Sequence, residues 1–545
     1  MTDATRDLLE QHFDTAFAAL DGIVKLRELI LTLAMQGKLV EQDPTDQPAS
    51  ELLKDIDAEK QRLVKAGKIK APKPLPSVKP DEVPYQLPMG WEWVRLGHIC
   101  SYIQRGKGPK YIDLSTHRVI SQKCVRWYGL DLEPARYIDP DSLEKYEPIR
   151  FLRVGDLLWN STGTGTIGRA CIVPKELEDA EIVADSHVTV VRTIDVSSAF
   201  LWRWIQSPTV QNEIEGSASG TTNQIELNTS TVINHLMPLP PLPEQHRIVA
   251  QIDRLMARCD ALETLRKERE EKRLAVHAAA IQQLLEVQDA SAWDFIQQHF
   301  GELYTVKANV AELRKAILQL AVMGRLVPQD PSDPPASELL KEIDAEKQRL
   351  VKAGKIKVPK PLPPINPEEV PYQLPQGWKW VRLGDLFRVA SGNNLPKDKM
   401  LAGEIPVFGG NGITGYHNAA NTDRPVIVIG RVGYYCGSIH LTPAKAWITD
   451  NAFFTIYDED RLDQAWVIWL LKTVNLQADT SSTAQPVISG GKIYPIPIPL
   501  PPLPEQHRIV ARIDQLMALC DTLDQKIDDA TDKQTELLNA VMAQV

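Results

Sequence analysis

The stretch ASELLKDIDAEKQRLVKAGKIK, Ala49 to Lys70, is written a second time at Ala336 to Lys357 with only Asp55 changed, to Glu342. The copy extends both ways without a gap: Asp7 to Gly97 recurs as Asp294 to Gly384, a shift of 287 positions that carries Phe13 onto Phe300. A second repeat, PPLPEQHRIVAQID at Pro240 to Asp253, returns at Pro501 to Asp514 with Gln251 replaced by Arg512, and here the shift is 261. The segments between the repeats are therefore unequal in length, and beyond their edges they share no convincing similarity. A duplicated frame around two different inserts points to common docking and spacing parts that present two distinct recognition surfaces. The period is far longer than the roughly 20 to 50 residues of a solenoid unit.

The frame reads as follows. Apolar residues from about Leu8 to Leu39 fall at helical spacing (Ile23, Leu26, Ile30, Leu33, Ala34), with Gly37 placed as a C-cap. A charged helix over Ala49 to Ala66 has one stripe, Leu52, Leu53, Ile56 and Leu63, and Gly67 ends it. Prolines at 72, 74, 76, 80, 84 and 88 then make an extended, semi-rigid strap, repeated from Pro359 to Pro375. Pro243 and Pro504 suit a first helical turn, each followed by a glutamate that the helix dipole favours. From there Ile509, Ile513, Leu516, Cys520, Leu523, Ile527, Ala530, Gln534, Leu537 and Val541 step by four and three, a coiled-coil seam. The first copy begins alike, with Ile248, Ile252, Leu255, Cys259 and Leu262, and then meets Arg266, Arg269 and Arg273, where the seam is expected to break. The domains expected are 1–90 (repeated helices and strap), 91–239 (first insert), 240–377 (central repeated region with spacer helix and second strap), 378–500 (second insert) and 501–545 (second spacer helix).

Composition bounds the function. A chain of 545 residues, 43% hydrophobic and 24% charged, is ordinary globular material for about three or four domains. Its six cysteines form no CxxC pair or zinc-type spacing, so neither disulfides nor a structural metal are expected. The opening MTDATRDLLEQHFD carries acids and no apolar segment, and no run is long enough to span a bilayer, so a cytoplasmic protein is expected. A net charge of −10 speaks against indiscriminate nucleic-acid binding while leaving room for a local basic face.

There is no Asn-Pro-Pro-aromatic motif for amino methylation, no phosphate loop and no HExxH zinc helix. Gly163, Gly165 and Gly168 satisfy GxGxxG, but the following RACIVP reads as a strand, so a glycine-rich hairpin is expected rather than a dinucleotide site. In the first insert, from Ser101 to Leu130, Arg105, Lys107, Lys110, Arg118, Lys123 and Arg126 stand against the single acid Asp113, interleaved with Tyr102, Tyr111, Trp127 and Tyr128. Such cations neutralise phosphates, and arginines or amides read base edges; the alternative is a solvated charged face. The second insert offers Ser391, Asn393, Asn394, Asn411, Asn418 and Asn421 among glycines, then Arg431, Tyr434 and Tyr435, which suit either a groove or plain turns. His246 and His507 have no nucleophile or acid pair nearby and are expected to pack on a helix surface.

At this point LILTLAMQGKLV, the Ala49 to Lys70 motif, YQLPMGWEWVRLG and PLPPLPEQHRIVAQID, in two copies around two inserts, resemble the specificity subunit of type I restriction-modification enzymes across nearly the whole chain. The inserts' GDLLWNSTGTGTIGRA, VFGGNGITGYH and GRVGYYCGSIHLTP are similar to segments of that family's target-recognition domains, which adds Asn160, Ser161 and Lys492 to the candidates. The resemblance implies an α/β chain of two target-recognition domains joined by long antiparallel coiled-coil helices with a pseudo-twofold internal repeat. It implies that each insert binds half of a bipartite, asymmetric site on double-stranded DNA, with no catalysis by this chain. Two modification subunits and restriction subunits would be the partners, bringing S-adenosylmethionine, ATP and Mg chemistry. A protein-binding scaffold and an enzyme with an unrecognised site are the competing readings.

Overall fold

A computed structural model of the chain describes residues 17–163, 165–218, 227–286, 291–354, 356, 358–433, 435–477 and 487–543. They divide into two compact units, residues 1–268 with 530–545, and residues 269–529, so that both dividing points fall inside the long helices Leu242–Glu286 and Leu503–Met542.

In the first unit, helix Gly22–Met35 buries Leu29, Ile30, Leu31, Ala34 and Met35, and Gly37 ends it at φ +68°, a conformation that costs glycine nothing. The part of the expected helix before residue 17 lies outside the described residues. Helix Ala49–Lys65 buries Leu52 and Ile56 and also Lys60, whose Nζ donates to Gly97 O (2.7 Å) and His98 O (2.6 Å). A lysine amid the charged face thus enters the interior because two carbonyls receive its ammonium. In the second unit, helix Ala336–Lys352 matches it, with Lys347 bonded to Asp385 O.

Each strap is held by one arginine. Arg95 donates to Pro76 O (3.0 Å), Ser77 O (3.4 Å) and both carboxylate oxygens of Glu82. Arg382 donates to Pro363 O (3.0 Å), Pro364 O (2.6 Å) and both oxygens of Glu369. Proline cannot pair in a ladder, so the strap's carbonyls are open to this use. The long helices repeat their anchors as well. Glu244 accepts from Trp91 Nε1 (3.0 Å) and Glu505 from Trp378 Nε1 (2.8 Å). Arg247 meets Asp46 (2.6 Å) and Arg508 meets Asp333 (2.7 Å). Arg27 bridges Asp260 and Glu263, and Arg314 bridges Asp521 and Asp524.

The inserts, unlike in sequence, share the strand order of their main sheet, while the smaller sheet has four strands in the first and three in the second. A short antiparallel ribbon closes each neck: Glu92–Arg95 with Leu236–Leu239, and Lys379–Arg382 with Pro497–Leu500. The main sheet of the first insert runs Cys100–Arg105, Val188–Thr193, Leu157–Asn160, Ala170–Ile172; that of the second runs Phe387–Ser391, Ala452–Tyr457, Ile427–Gly430, Ile439–Leu441, in the same order. A smaller sheet in each contains one parallel pair, Arg118–Ile120 with Val183–Ala184 and Ile405–Gly409 with Trp447–Ile448. Helices Ser198–Gln206 and Gln464–Thr473 are N-capped by Ser197 and Asp463. The N–H of each cap residue donates to a repeated glutamine, Gln245 or Gln506 (2.9 and 3.0 Å), so the frame grips each insert at the same point. The apparent dissimilarity of the inserts is thereby corrected: backbone pairing is shared where side chains are not.

The long helices follow the expected seam at one point and depart from it at another. Ile248, Ile252 and Cys259 are buried, but Leu262 is already 47% exposed and residues 263–269 are exposed after it, so the seam breaks as expected while the helix itself runs on to Glu286; Arg266 there donates to Ala19 O at 2.8 Å. In the second helix Leu538, not Leu537, is fully buried, against Phe17, Ala19 and Leu29 of the first unit. In the second unit the matching contact is polar: His277 Nε2 lies 3.0 Å from Tyr304 Oη. All six cysteines are buried and unpaired with one another, and among the described residues no helix is long and apolar enough to cross a membrane.

Candidate nucleic-acid interface

Some of the residues singled out by chemistry in two unrelated-looking inserts, Lys107, Lys123 and Ser161 in one and Asn393, Asn411 and Arg431 in the other, fall at matching positions around one corner of each insert. It is formed by the loop after the opening strand, the turn after the second sheet's central strand, and the glycine hairpin. The same backbone bonds build it twice. Gly106 N and Lys107 N donate to Val188 O and Ala184 O (2.9 and 3.1 Å); Gly392 N and Asn393 N donate to Ala452 O and Ile448 O (3.3 and 2.9 Å). A Cβ at Gly106 would stand 2.1 Å from Ala184 O, and one at Gly392 2.2 Å from Ile448 O, so only glycine lets the loop lie against the parallel strand. Asp185 N reaches Ile120 O and Thr449 N reaches Phe408 O, each at 2.9 Å. Ser161 N donates to His187 O (2.9 Å) and Arg431 N to Asn451 O (3.0 Å).

These bonds align Lys107 with Asn393 and Ser161 with Arg431. The turn aligns Lys123 with Asn411, because the residue before each abuts the hairpin strand: Gln122 O accepts from Asn160 Nδ2 (3.0 Å), and a Cβ at Gly430 would lie 2.1 Å from Gly410 O. Lys107, Lys123, Asn393, Asn394 and Asn411 are exposed. The hairpin glycines Gly163, Gly165 and Gly168 take φ of +102°, +76° and +84° and lead into strand Ala170–Ile172, the hairpin read from the sequence.

Other candidates are already engaged. Lys110 Nζ is 2.7 Å from Asp139, which raises its pKa chiefly through that hydrogen bond, and Arg126 is 3.6 Å from Asp131. Tyr111 lies under the Arg136 guanidinium, 3.6 Å from its ring centroid. Two candidates need correction as contact residues: Asn160 and Ser161 are fully buried. Asn160 Nδ2 ties the turn to the hairpin through Gln122 O and Thr166 O, and Ser161 Oγ meets Thr189 Oγ1 at 2.5 Å, so both shape the corner from inside. Lys492 sits half-buried on the short helix Gly490–Ile493, four positions past Ile488, whose N–H reaches Arg431 O. Tyr434 lies outside the described residues. His246 is exposed, and His507 Nε2 is 3.7 Å from Asp463.

The structure gives two of the aromatics interleaved with the basic segment, Trp127 and Tyr128, a defined place. Val125–Arg126 pairs with Gly129–Leu130, leaving Trp127 and Tyr128 as the two-residue tip of a hairpin, with Tyr128 77% exposed. Gln206 Nε2 donates to Trp127 O (3.1 Å), fixing the tip to the helix behind. The signal was available: apolar Val125 and Leu130 flank a short turn that Gly129, a glycine at φ +141°, follows directly.

The family described as "Type I restriction modification DNA specificity domain" matches residues 88–271 and 375–530. The type I restriction enzyme EcoAI specificity subunit of Escherichia coli is 34% identical to the chain, over 95% of this chain and 93% of that protein. The EcoEI specificity subunit of the same organism is 32% identical over the same shares. Among solved structures, the HsdS subunit from Thermoanaerobacter tengcongensis is similar at 20% identity with a TM-score of 0.45, covering 84% of this chain and 98% of that one.

Proposed function

Since the chain belongs to the type I restriction-modification specificity-subunit family, whose work is sequence-specific DNA recognition, we propose that each insert reads one half of a bipartite, asymmetric duplex site through the corner described above. One observation carries this reading. Two domains with one strand order in their main sheet, gripped identically by a duplicated frame, bring different polar side chains to matching positions: lysines at 107 and 123 in one, asparagines at 393 and 411 in the other. Lysines neutralise phosphates, and asparagine amides pair with adenine edges, so equal scaffolds with unequal chemistry suit unequal half-sites. Lys110 and Arg126 would exchange their acid partners for phosphate, whereas Asn160 and Ser161 hold the corner in shape.

The chain itself is non-catalytic in this reading. Two modification subunits would supply methyl transfer from S-adenosylmethionine, and restriction subunits would supply ATP- and Mg-dependent chemistry. A net charge of −10 fits a reader that shares its DNA with partners. The test replaces residues 91–239 by the corresponding insert of a relative and maps methylated sites of the assembled enzyme. One half-site should change while the other stays; a change in both would end the modular reading.

A further inference from the structure

The ends of the two long helices rest on contacts that the duplication makes directly comparable. Position 277 of the first helix corresponds to 538 of the second by the shift of 261, and frame position 304 corresponds to 17 by the shift of 287. In the first unit Leu538 is fully buried against Phe17. In the second unit the same two places hold His277 and Tyr304, 1% and 5% exposed, with Nε2 3.0 Å from Oη and the rings edge to face at 5.1 Å. This is the one hydrogen bond of either side chain among the described residues, and His277 Nδ1 has no partner there. Burial holds the imidazole below its ordinary 6.5, so at neutral pH the pair is uncharged. A second difference lies at the helix terminus. Arg325 donates to Leu284 O and Leu285 O in the last turn of helix Leu242–Glu286, whereas its counterpart in the first frame, Lys38, bonds Gln36 Oε1 close by in its own chain segment.

Stability does not explain the polar pair. A histidine with one orphaned nitrogen facing a tyrosine stands where the other unit has leucine on phenylalanine, and a half-satisfied polar contact is no better for stability than an apolar one. What it supplies is discrimination, as a single buried polar residue does when it fixes the partner of a coiled-coil helix. Set on Phe17, His277 would lose its hydrogen bond while staying buried. Set on Tyr304, Leu538 would leave the phenolic oxygen without a partner. Each mismatch weakens the pairing by about 5- to 150-fold, the penalty for one buried polar group left unpaired.

We propose that the two frames are keyed to different helix ends: the second frame, through Tyr304 and Arg325, to the end of the first long helix, and the first frame, through Phe17, to the end of the second. Duplicated frames would otherwise accept either helix end, and two chains could join through like halves, first helix with first helix or second with second. Every such assembly contains His277 on Phe17 or Leu538 on Tyr304. The keyed contacts therefore select the unlike pairing, which keeps two different inserts together, and that selection is a negative-design device rather than a source of stability.

Amide hydrogen exchange on the full chain tests this. Tyr304→Phe gives His277 the first frame's residue to face, and His277→Leu gives Tyr304 the second helix's residue. Each should accelerate exchange over residues 277–285 by about 5- to 150-fold, while residues 537–542 exchange as in wild type and certify that the first unit is folded. His277→Leu with Tyr304→Phe rebuilds the first unit's pair in the second and should return most of the lost protection. The reverse transplant obeys the same rule: Leu538→His should accelerate exchange over 537–542, and adding Phe17→Tyr should recover most of it. Single variants that exchange like wild type in either unit would overturn the proposal. So would a double variant no better protected than the worse of its two singles, because the pair would then be an ordinary stabilising bond. Where a single variant loses protection in both units, rescue by the second substitution decides between these outcomes.

Discussion

Replacing Arg382 by alanine should free the second strap and leave the first in place. The Arg382 side chain is 4% exposed and donates to three carbonyls, Pro363 O, Pro364 O and Pro495 O, besides Glu369. A hydrogen bond from a charged donor contributes about 1.5 kcal/mol at the low end, so the two bonds to strap carbonyls, Pro363 O and Pro364 O, amount to about 3 kcal/mol of local opening free energy, with the exposed Glu369 contact left out of this sum. Amide exchange at Glu369 and Val370, which bond to Asn366 O and Pro367 O, should accelerate on the order of a hundredfold. The first strap is the internal control, since Arg95 holds it alone. Acid provides a second arm. The Arg382 side-chain bond, then the backbone N–H of Asn366, pull the Glu369 carboxyl down to about 2 from its ordinary 4.5. Because the folded value is depressed, the contact is at full strength above about pH 4.5 and is lost as pH falls towards 2. Wild-type protection of the strap should decline across that window, and in Arg382→Ala the decline should nearly vanish. Exchange rates in Arg382→Ala equal to wild type would refute the view that one arginine clamps the strap.

Three further outcomes are expected. One heptad inserted after Leu262 and another after Leu523 lengthens each long helix by about 10 Å in phase, so methylome mapping should find the same half-site bases set further apart, by up to about three base pairs; altered bases at unchanged spacing would show that the helices do not set the distance. His235, packed edge-on to Trp159 at 5.3 Å between ring centroids, is half-buried, and its desolvation there lowers its pKa from 6.5 to about 4. The unfolded chain therefore takes up a proton first, and the first insert should lose roughly 3 kcal/mol as pH falls from about 6.5 to 4; tryptophan-monitored unfolding of His235→Leu should lack this slope, and an unchanged slope would place the titration elsewhere. Burial also pushes the Cys100 and Cys171 thiols up to about 12, so a thiol reagent at neutral pH should leave both unlabelled until the chain unfolds; labelling at native rates would contradict the packing.

The frame was readable because it is written twice in residues whose pattern is local: the Ala49–Lys65 helix, its glycine stop, the proline strap and the proline-glutamate helix start all follow from spacing and backbone chemistry. What escaped reading depends on contacts distant in sequence. Lys60 looks like one more charge on a solvated face until the Gly97 and His98 carbonyls stand over it. Arg266 marks a real break in the apolar seam, and only the fold shows that its guanidinium meets Ala19 O there. Leu537 and Leu538 both fit a helix face, and only the surroundings of Phe17 choose between them. The common strand order of the inserts' main sheets was invisible for a similar reason. It is encoded in which N–H meets which carbonyl, and Gly106 and Gly392 are nearly the whole of its trace in the letters. Candidate site chemistry was legible as residue types, whereas the distinction between exposed Lys123 and buried Asn160 required the fold.

The packing of Leu538 against Phe17, Ala19 and Leu29 has a meaning in time as well as space. A ribosome making about 5 to 20 residues each second reaches Leu538 on the order of 25 to 100 s after it passes Leu29. For that whole interval the first unit waits with an apolar surface uncovered, while the second unit, whose residues 269–529 form one continuous stretch, is synthesised and can close in the meantime. The order of translation is therefore not the order of completion: the unit begun first is finished last, and nascent chains carry a sticky half-built face that a chaperone would recognise.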